Sequence, residues 1–401
     1  MNARDRDHDV VLLGATGFVG RFTAEHLART APPDTRIAIA GRSRPRLEEL
    51  ARELGVDWPV LEVDTSDDDD VARLAGSTAV LATTVGPYLR YGVGVIAACA
   101  RAGTSYADLA GESIFVARSI EENHHVAGAS GARIVHSCGF DSIPSDLGVG
   151  LGHARAGGGP IAAAVVRVRS ARGGVSGGTI DSLRQQAVEA GRDEKSRRIV
   201  GDPYALTPGP TRRTPFANRG GWQRDRASGS WQAPFVMGGY NQQVVQRSNY
   251  LTGWGYGQLM QYREVVMTGP GARGAARAVA LVAGTTALVG AMSFPPTRSI
   301  LDRVLPAPGN GPGEEAIARG RFALDIDIHP VDGEPVRTRI EAPFDPGYGG
   351  TGVMLGQTAL SLARDELPPH AGVLTPMVVF GDALADRLRA QGFTISSQLL
   401  Q

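Results

Sequence analysis

The sequence predicts an α/β fold, a doubly wound parallel sheet at the N-terminal end followed by a second, mixed α+β domain. Short apolar runs alternate with helix-length stretches from Val10 to about Gly139, the pattern of parallel strands joined by crossover helices. A glycine-spaced turn follows the first of those runs. The chain has 401 residues, more than one hydrophobic core usually serves, so two domains are the default. The texture divides it into 1–145 for the parallel-sheet domain, 146–370 for the α+β domain, and 371–401 for a C-terminal helix that packs back on another element.

The first element is a buried strand ending in VVLLGATGFVG. Gly14, Ala15, Thr16, Gly17, Phe18, Val19 and Gly20 follow it in GxxGxxG spacing and lead into a helix, which is a Rossmann-type dinucleotide turn. Gly14 allows the tight turn, Gly17 lets the backbone approach a pyrophosphate, and Gly20 lets the helix lie on the strand. The helix start then offers free N–H groups and its positive dipole end to the phosphates. Further strands are expected at 10–14, 36–40, 60–63, 78–83, 104–107 and 133–137, with helices beginning near Phe18, Pro45, Asp67, Gly92 and Ile114.

The second strand runs into Gly41, Arg42 and Ser43, where a binder of NAD usually places an acid on the ribose hydroxyls. A guanidinium and a hydroxyl instead suit the 2′-phosphate of NADP. Asp64 ends the third strand at the position that faces adenine. The acids from Asp67 to Asp70 belong to the first turn of a helix. The fourth strand delivers Thr84, Val85, Gly86, Pro87 and Tyr88 to the carboxyl edge, outside which ligands of such sheets bind. The fifth edge carries Tyr106, Asp108 and Glu112 in YADLAGE, and the sixth carries His136, Cys138, Asp141, Ser142 and Ser145 in HSCGFDSIPSDLG. Two successive edges loaded with ionisable and hydroxyl groups are what a reaction centre needs. Each group also has a plainer reading: Asp108 as a turn former, Asp141 or Ser142 as a helix cap, Cys138 as a small buried hydrophobe.

These segments, with AGRS and the later GGVSGGT, resemble the saccharopine dehydrogenase-like NADP-binding oxidoreductases, and within them the trans-acting enoyl reductase branch. The resemblance runs to TPMVVFGDALADRLRAQGF near the end. It implies that Gly14 to Gly20, Arg42 and the sheet-edge residues, among them Thr84, Val85, Gly86, Gly139 and Phe140, hold NADPH. It also implies reduction of a double bond in a lipid chain built by polyketide synthases, by a separately encoded protein, and so an acyl-thioester substrate with an acyl carrier domain as partner. The family brings no catalytic residue to transfer.

Lys+Arg 41 balances Asp+Glu 41, so no global field selects nucleic acid or an anionic membrane. Two cysteines exclude a disulfide framework, and MNARDRDHD has no apolar signal core, so a cytoplasmic location is expected. No metal-ligand spacing is present: His124 and His125 are adjacent on a helix and point apart.

Beyond Gly150, AAAVVRVRSA reads as a strand running through a glycine-rich turn into a helix. Ser176 and Thr179 there are either helix caps or donors to an oxygen that turns anionic during reduction. The aromatics between Asp202 and Gly257 form either a cover over an apolar ligand or the core of a small domain. Phe322, Leu324, Ile326 and Ile328 alternate into a VDGEP turn and VRTRI, a hairpin with one solvated face. The uncharged stretch 278–297 has three readings, a buried helix, a surface meeting lipid or membrane, and a membrane span; the buried helix leads. Thr375 and Pro376 start a helix that ends at Gly392.

The reading that results is an NADPH-dependent enoyl reductase whose reaction centre is formed by Tyr88 and Asp141 on the sheet edge and by Ser176 and Thr179 across the cleft. Its rivals are a saccharopine-type imine reductase, with Arg167, Arg169 and Arg172 clamping substrate carboxylates, and a non-enzymatic NADP-binding or lipid-surface protein. Homo-oligomerisation is left open.

Overall fold

The computed structural model describes residues 6–173, 177–208, 221–226, 228–293, 297, 315, 317 and 319–400. The first part of the chain alternates as expected: β1 (His8–Leu13), α1 (Phe18–Thr30), β2 (Ile37–Gly41), α2 (Arg44–Leu54), β3 (Val60–Glu62), α3 (Asp68–Ser77), β4 (Thr78–Thr83), α4 (Tyr88–Tyr91), α5 (Val93–Ala102), β5 (Ser105–Ala107), α6 (Ser113–Ser130) and β6 (Arg133–Val135). Then come α7 (Ile143–Arg155), β7 (Ile161–Arg172), α8 (Gly177–Arg192), α9 (Glu194–Gly201), β8 (Gln223–Arg224), β9 (Ser230–Pro234), α10 (Gly238–Leu251), β10 (Gln261–Pro270), α11 (Gly271–Ser293), β11 (Arg321–Pro330) and β12 (Val336–Ala342). The chain closes with α12 (Gly349–Arg364), β13 (Gly372–Leu374), α13 (Pro376–Phe380), α14 (Asp382–Ala390) and β14 (Thr394–Leu399).

Two seven-stranded sheets result. The first, in the order β13-β6-β5-β4-β1-β2-β3, is parallel throughout. Its central strands are buried on both faces, as Val10 to Leu13 and Ile37 to Ala40 show. The strand order reverses between β1 and β4, which opens the crevice that positions the site. The second sheet, β14-β12-β11-β7-β10-β9-β8, is antiparallel except for the β7–β10 pair. Phe322, Leu324, Ile326 and Ile328 of β11 point into the core, as their alternation predicts.

α7 joins the two sheets. Cβ atoms added at Gly148 and Gly152 would meet Ile326 and Ile328 at 2.8 and 2.6 Å, and one at Gly150 would meet Met377 at 2.3 Å. Small residues on both sides therefore let this helix lie between β11 and α13. Asp146, fully buried, fixes its start by accepting from Ser248 Oγ at 2.5 Å and from Met377 N at 2.8 Å.

The C-terminal portion differs from the expected division. α12 packs on α1 and β13 pairs with β6, so part of the stretch assigned to 146–370 and the beginning of 371–401 belong physically to the first sheet. The expected single C-terminal helix is two helices broken at Gly381 (φ +47°), followed by the edge strand β14 beside β12. Leu384 and Leu388 are buried as the helical spacing requires.

The α1–α12 contact depends on glycine. A Cβ at Gly352 would lie 2.9 Å from Phe22 Cβ and 3.1 Å from the Phe22 and Thr23 backbone, where a side chain cannot swing aside. Gly352→Val is expected to lower stability by about 1–3 kcal/mol in denaturant unfolding, the usual cost of overpacking. Gly76→Ala, on α3 with no atom within 4 Å of the added Cβ, should leave it unchanged or slightly higher.

Candidate functional site

The turn after β1 is shaped by contacts that admit no Cβ. Gly14 has φ +84° and its own Cβ would sit 2.7 Å from Val85 Cγ2; a Cβ at Gly20 would sit 2.1 Å from Gly14 O. Thr84 Oγ1 donates to Gly14 O at 3.0 Å, which ties the end of β4 to the turn. Gly17 is the N-cap of α1 and no side chain caps the helix, so the first-turn N–H groups face the crevice unclaimed by their own chain. That cradle fits a pyrophosphate. Ala15 is buried in the core and offers only its backbone, whereas Thr16 and Gly17 are exposed. Phe18 closes one side by stacking edge-on with Tyr348 at 4.5 Å.

At the far end of the crevice, Arg42 is exposed just past β2, and Ser43 caps α2 without spending its hydroxyl on the helix. Asp64 accepts from Ser66 N at 2.9 Å and Ser66 Oγ at 2.7 Å. These bonds, with the Arg42 charge as a lesser contributor, hold its carboxyl below the usual range. Asp64 is therefore an anion within the electrostatic reach of Arg42, with its Oδ1 engaged by its own turn.

At the β4 and β5 edges the organising group is Glu112. Its Oε1 accepts from Tyr88 N and its Oε2 from Leu89 N, each at 2.9 Å, while Ser182 Oγ of α8 donates to Oε1 at 2.7 Å. One buried carboxylate thus ties the turn after Gly86 to the helix that arrives from the second domain. Burial raises its pKa, opposed by the three donors. Val85 and Gly86 remain at the crevice, Gly86 exposed.

Tyr88 is buried: its hydroxyl donates toward Thr83 O at 3.4 Å and accepts from Leu109 N at 3.1 Å. Desolvation first, then Asp108, drives its pKa well up. The hydroxyl expected to serve as a donor to substrate faces the domain interior and holds the β5 edge instead. Asp108 accepts from Ala110 N and Ser137 N at 3.0 Å, from Tyr106 Oη at 3.0 Å, and pairs with His136 Nδ1 at 2.7 Å; His136 Nε2 meets Ser119 Oγ at 2.9 Å. The order Ser119–His136–Asp108 is that of a hydrolytic triad, but all three are enclosed, Ser119 3% exposed. It is a buttress beneath the edge. Cys138 is buried too, its thiol pushed up by desolvation, in keeping with its plainer reading.

Asp141 stands differently. It lies in the turn between β6 and α7, keeps part of its surface accessible, and has its pKa raised to about 6 by desolvation. Its neighbour Ser142 donates to Asn241 Oδ1 at 2.8 Å, and Asn241 Nδ2 donates to both oxygens of Glu264, at 3.2 and 3.0 Å. Glu264 also accepts from Tyr262 Oη at 2.7 Å and Ser145 Oγ at 3.1 Å. It is fully buried, and burial foremost, with the Asp141 charge adding, raises it to about 7. Gly139 packs under Leu109 and Thr351, the Phe140 ring is enclosed against Phe322 at 4.8 Å, and Phe140 N donates to Thr351 Oγ1 at 3.1 Å, so both positions are buried and their backbone is largely taken up by the turn itself.

Ser176 lies outside the described residues, as does the side chain of Thr179, whose backbone belongs to the first turn of α8. Glu264, Asn241 and Ser182 were not anticipated. Glu264 had a signal, since it is the one acid in the strand QLMQYREVVM and shares the inward face with Tyr262. Asn241 and Ser182 had none, because their roles come from partners about 100 and 70 residues away.

Two expectations are corrected. Arg167 pairs with Asp327 and Asp225, and Arg169 with Asp325 and Glu341, across the strands of the second sheet, so neither is a clamp waiting for a substrate carboxylate. The aromatic stretch is neither wholly core nor wholly cover: Tyr204, Tyr240 and Tyr256 are buried, Trp231, Tyr250 and Trp254 half-buried, and Trp222 exposed.

Residues 10–135 match the saccharopine dehydrogenase NADP binding domain model. Over the full length of both chains this protein is 39% identical to the trans-acting enoyl reductases of Mycobacterium tuberculosis and Mycobacterium ulcerans. It is 42% identical, again over the full length, to a Mycobacterium tuberculosis protein provisionally given the same description. Saccharopine dehydrogenase (L-Glu forming) from Saccharomyces cerevisiae shares the fold, with TM-score 0.55 at 12% identity, covering 98% of this chain and 100% of that one.

Arg42→Ala is expected to weaken NADPH by about 1.5–3 kcal/mol, the range of a charged hydrogen bond, and NADH hardly at all; titration of both cofactors by fluorescence decides it, and equal losses refute the assignment. For Glu264 the sign follows from its raised value. The folded protein opposes its ionisation, so a penalty sets in as pH rises from about 4.5 and is complete above about 7. Glu264→Gln should therefore gain stability relative to the parent at pH 8 compared with pH 4.5, on the order of 2 kcal/mol, read from paired unfolding curves.

Proposed function

The chain belongs to the trans-acting enoyl reductase family of NADP-dependent oxidoreductases, and from that premise we propose that it reduces an α,β-unsaturated thioester of a polyketide or long-chain lipid precursor. The single observation that carries this reading is the pairing, along one sheet edge, of a glycine cradle open to pyrophosphate with an acid, Asp141, raised toward neutrality. NADPH supplies the hydride for the β-carbon. The chain must supply a donor for the thioester oxygen while it is anionic, and a proton for the α-carbon.

Gly14 to Gly20, with Thr84, Val85 and Gly86, hold the pyrophosphate and ribose; Arg42 and Ser43 hold the 2′-phosphate, beside Asp64. Backbone at Gly139 and Phe140 borders the nicotinamide end. Asp141 is the proton donor, because it is the accessible carboxyl of the edge and desolvation keeps it protonated toward neutral pH. Glu264, out of reach of substrate, anchors the neighbouring Ser142 through Asn241. Ser176 and Thr179 are the residues we assign to polarising the thioester oxygen; the helix that contains Thr179 is tied to the edge by the Ser182–Glu112 bond. The imine-reductase reading is weakened, since two of its three arginines, Arg167 and Arg169, are paired with acids of their own sheet. An acyl carrier domain of a polyketide synthase fits as the thioester's bearer, and two buried cysteines fit a reducing cytoplasm.

The test is NADPH oxidation by the purified full chain with an enoyl thioester, against a control of an amino acid with an oxo acid. Turnover with the first and none with the second is expected, falling as pH rises through about 6. Asp141→Asn should lower kcat by about 100-fold or more and abolish that pH limb, with NADPH affinity intact. Ser176→Ala with Thr179→Ala should cost about 10- to 1000-fold in kcat. Parent-rate reduction by the Asp141 variant would remove it from the role of donor.

A further inference from the structure

α11 is apolar and yet lies at the surface. From Gly271 to Met292 it has 22 residues and a mean hydropathy of 1.6, with only 11% of its apolar window buried. A core helix of that composition would be enclosed; the leading expectation for this stretch, a buried helix, is overturned. One side rests on β9, β10 and α8. Val279 and Leu281 are 39% and 38% exposed, with Ala276, Ala280 and Ala283 exposed among them. The helix carries no acid, and its two charges are Arg273 and Arg277, both exposed near its start.

By length the helix reaches about 33 Å, enough to cross a bilayer. Its connections argue against that. β10 leads directly into α11, and the chain returns to β11 of the same sheet. A crossing would need a second crossing within 294–320, whose sequence holds Pro295, Pro296, Arg298, Asp302 and Arg303. A helix lying in the plane of the membrane needs no return. The face is smooth, built of alanine, valine, leucine and glycine, and lacks the aromatic anchors of a protein partner site; apolar area flanked by basic residues is what an anionic lipid surface takes up.

We propose that α11 is an interfacial helix that lays its exposed apolar side into an anionic bilayer, with Arg273 and Arg277 at the phosphate level. The same helix packs on α8, and α8 carries Ser182 to Glu112 at the cofactor edge. Membrane contact therefore sets the mouth of the cleft one helix away from the lipid, where a long acyl chain can pass without crossing water. The purpose rests on the enoyl reductase reading; the binding does not.

The experiment is co-sedimentation of the full chain, loaded with NADPH, with vesicles of phosphatidylcholine alone or mixed with phosphatidylglycerol. Binding to the mixed vesicles is expected to exceed binding to the neutral ones by about tenfold or more at low salt. Val279→Glu with Leu281→Glu should abolish both, and Arg273→Gln with Arg277→Gln should cost about 20-fold on anionic vesicles only. All variants should melt as the parent does and reduce a short, water-soluble enoyl thioester at the parent rate. A parent without that activity would sink the enzymatic reading and leave the vesicle result standing. The proposal is overturned by a parent that ignores both vesicles, by variants that bind like the parent, or by a protein that leaves membranes only in detergent. It is equally overturned if the glutamates split an oligomer in light scattering while vesicle binding is unchanged.

Discussion

The close approach of Gly20 to Gly14 O governs the geometry of this molecule. A Cβ at Gly20 would stand 2.1 Å from that oxygen, so the helix can lie on the turn only if the position is bare. The same oxygen accepts the Thr84 hydroxyl, which brings the end of β4 to the turn. Strand, turn and helix are thereby locked to the neighbouring strand at the point where the sheet order reverses, and the helix keeps its first N–H groups free. α12 then covers α1 through two more glycines, Gly352 and Gly356, which place Tyr348 against Phe18. An added methyl group meets backbone at Gly20 and Gly352 and the buried His26 ring at Gly356.

A second constraint is polar. The joint between the sheets contains Asp146 and Glu264, both fully buried and both raised to about 7 by desolvation, and Asp141 at about 6 beside them. Every hydrogen bond drawn to Glu264 comes from a donor, Tyr262, Asn241 or Ser145, so the cluster tolerates a carboxylate but does not neutralise it with a cation. Charging all three acids together is costly in so dry a place, and protons are retained there at pH values where surface carboxyls have lost theirs. That retention is what a proton donor near neutrality requires. Asp141, at the wall of the joint, shares that desolvation while keeping part of its surface accessible.

The first half of the fold was legible because local signals carry it. Alternating apolar runs, the glycine turn, and the acids of α3, where Asp67 caps the helix through Asp69 N and Asp70 N, are all read within a few residues. The glycine cradle and the end of β2 share that property, resting on Gly14 to Gly20 and on Arg42. What stayed hidden was set by distance along the chain. Nothing near Thr375 tells that β13 closes the first sheet or that Gly381 splits the last helix. Tyr88 read as an edge hydroxyl because a strand end places it there, and only the packing of Leu109 turned it inward. Glu264 was visible as a solitary acid in an apolar strand, but its meaning came from α7 and α10. The charges of Arg167 and Arg169 were cancelled by β11 and β12, more than 150 residues away.

The two halves of the site answer to different physics, and this orders the whole chain. The cofactor end is built from backbone, with glycines where side chains would intrude, and therefore tolerates little change. The far end of the edge is built from side chains instead, and Glu112 joins it to α8 through Ser182. Its carboxylate takes two backbone donors from the β4 turn and one hydroxyl from α8, a helix that also packs on α9 and α11. Glu112 thereby couples the β4 turn to α8, and through α8 to α11, so that a displacement of either helix is transmitted to the carboxyl edge of the first sheet.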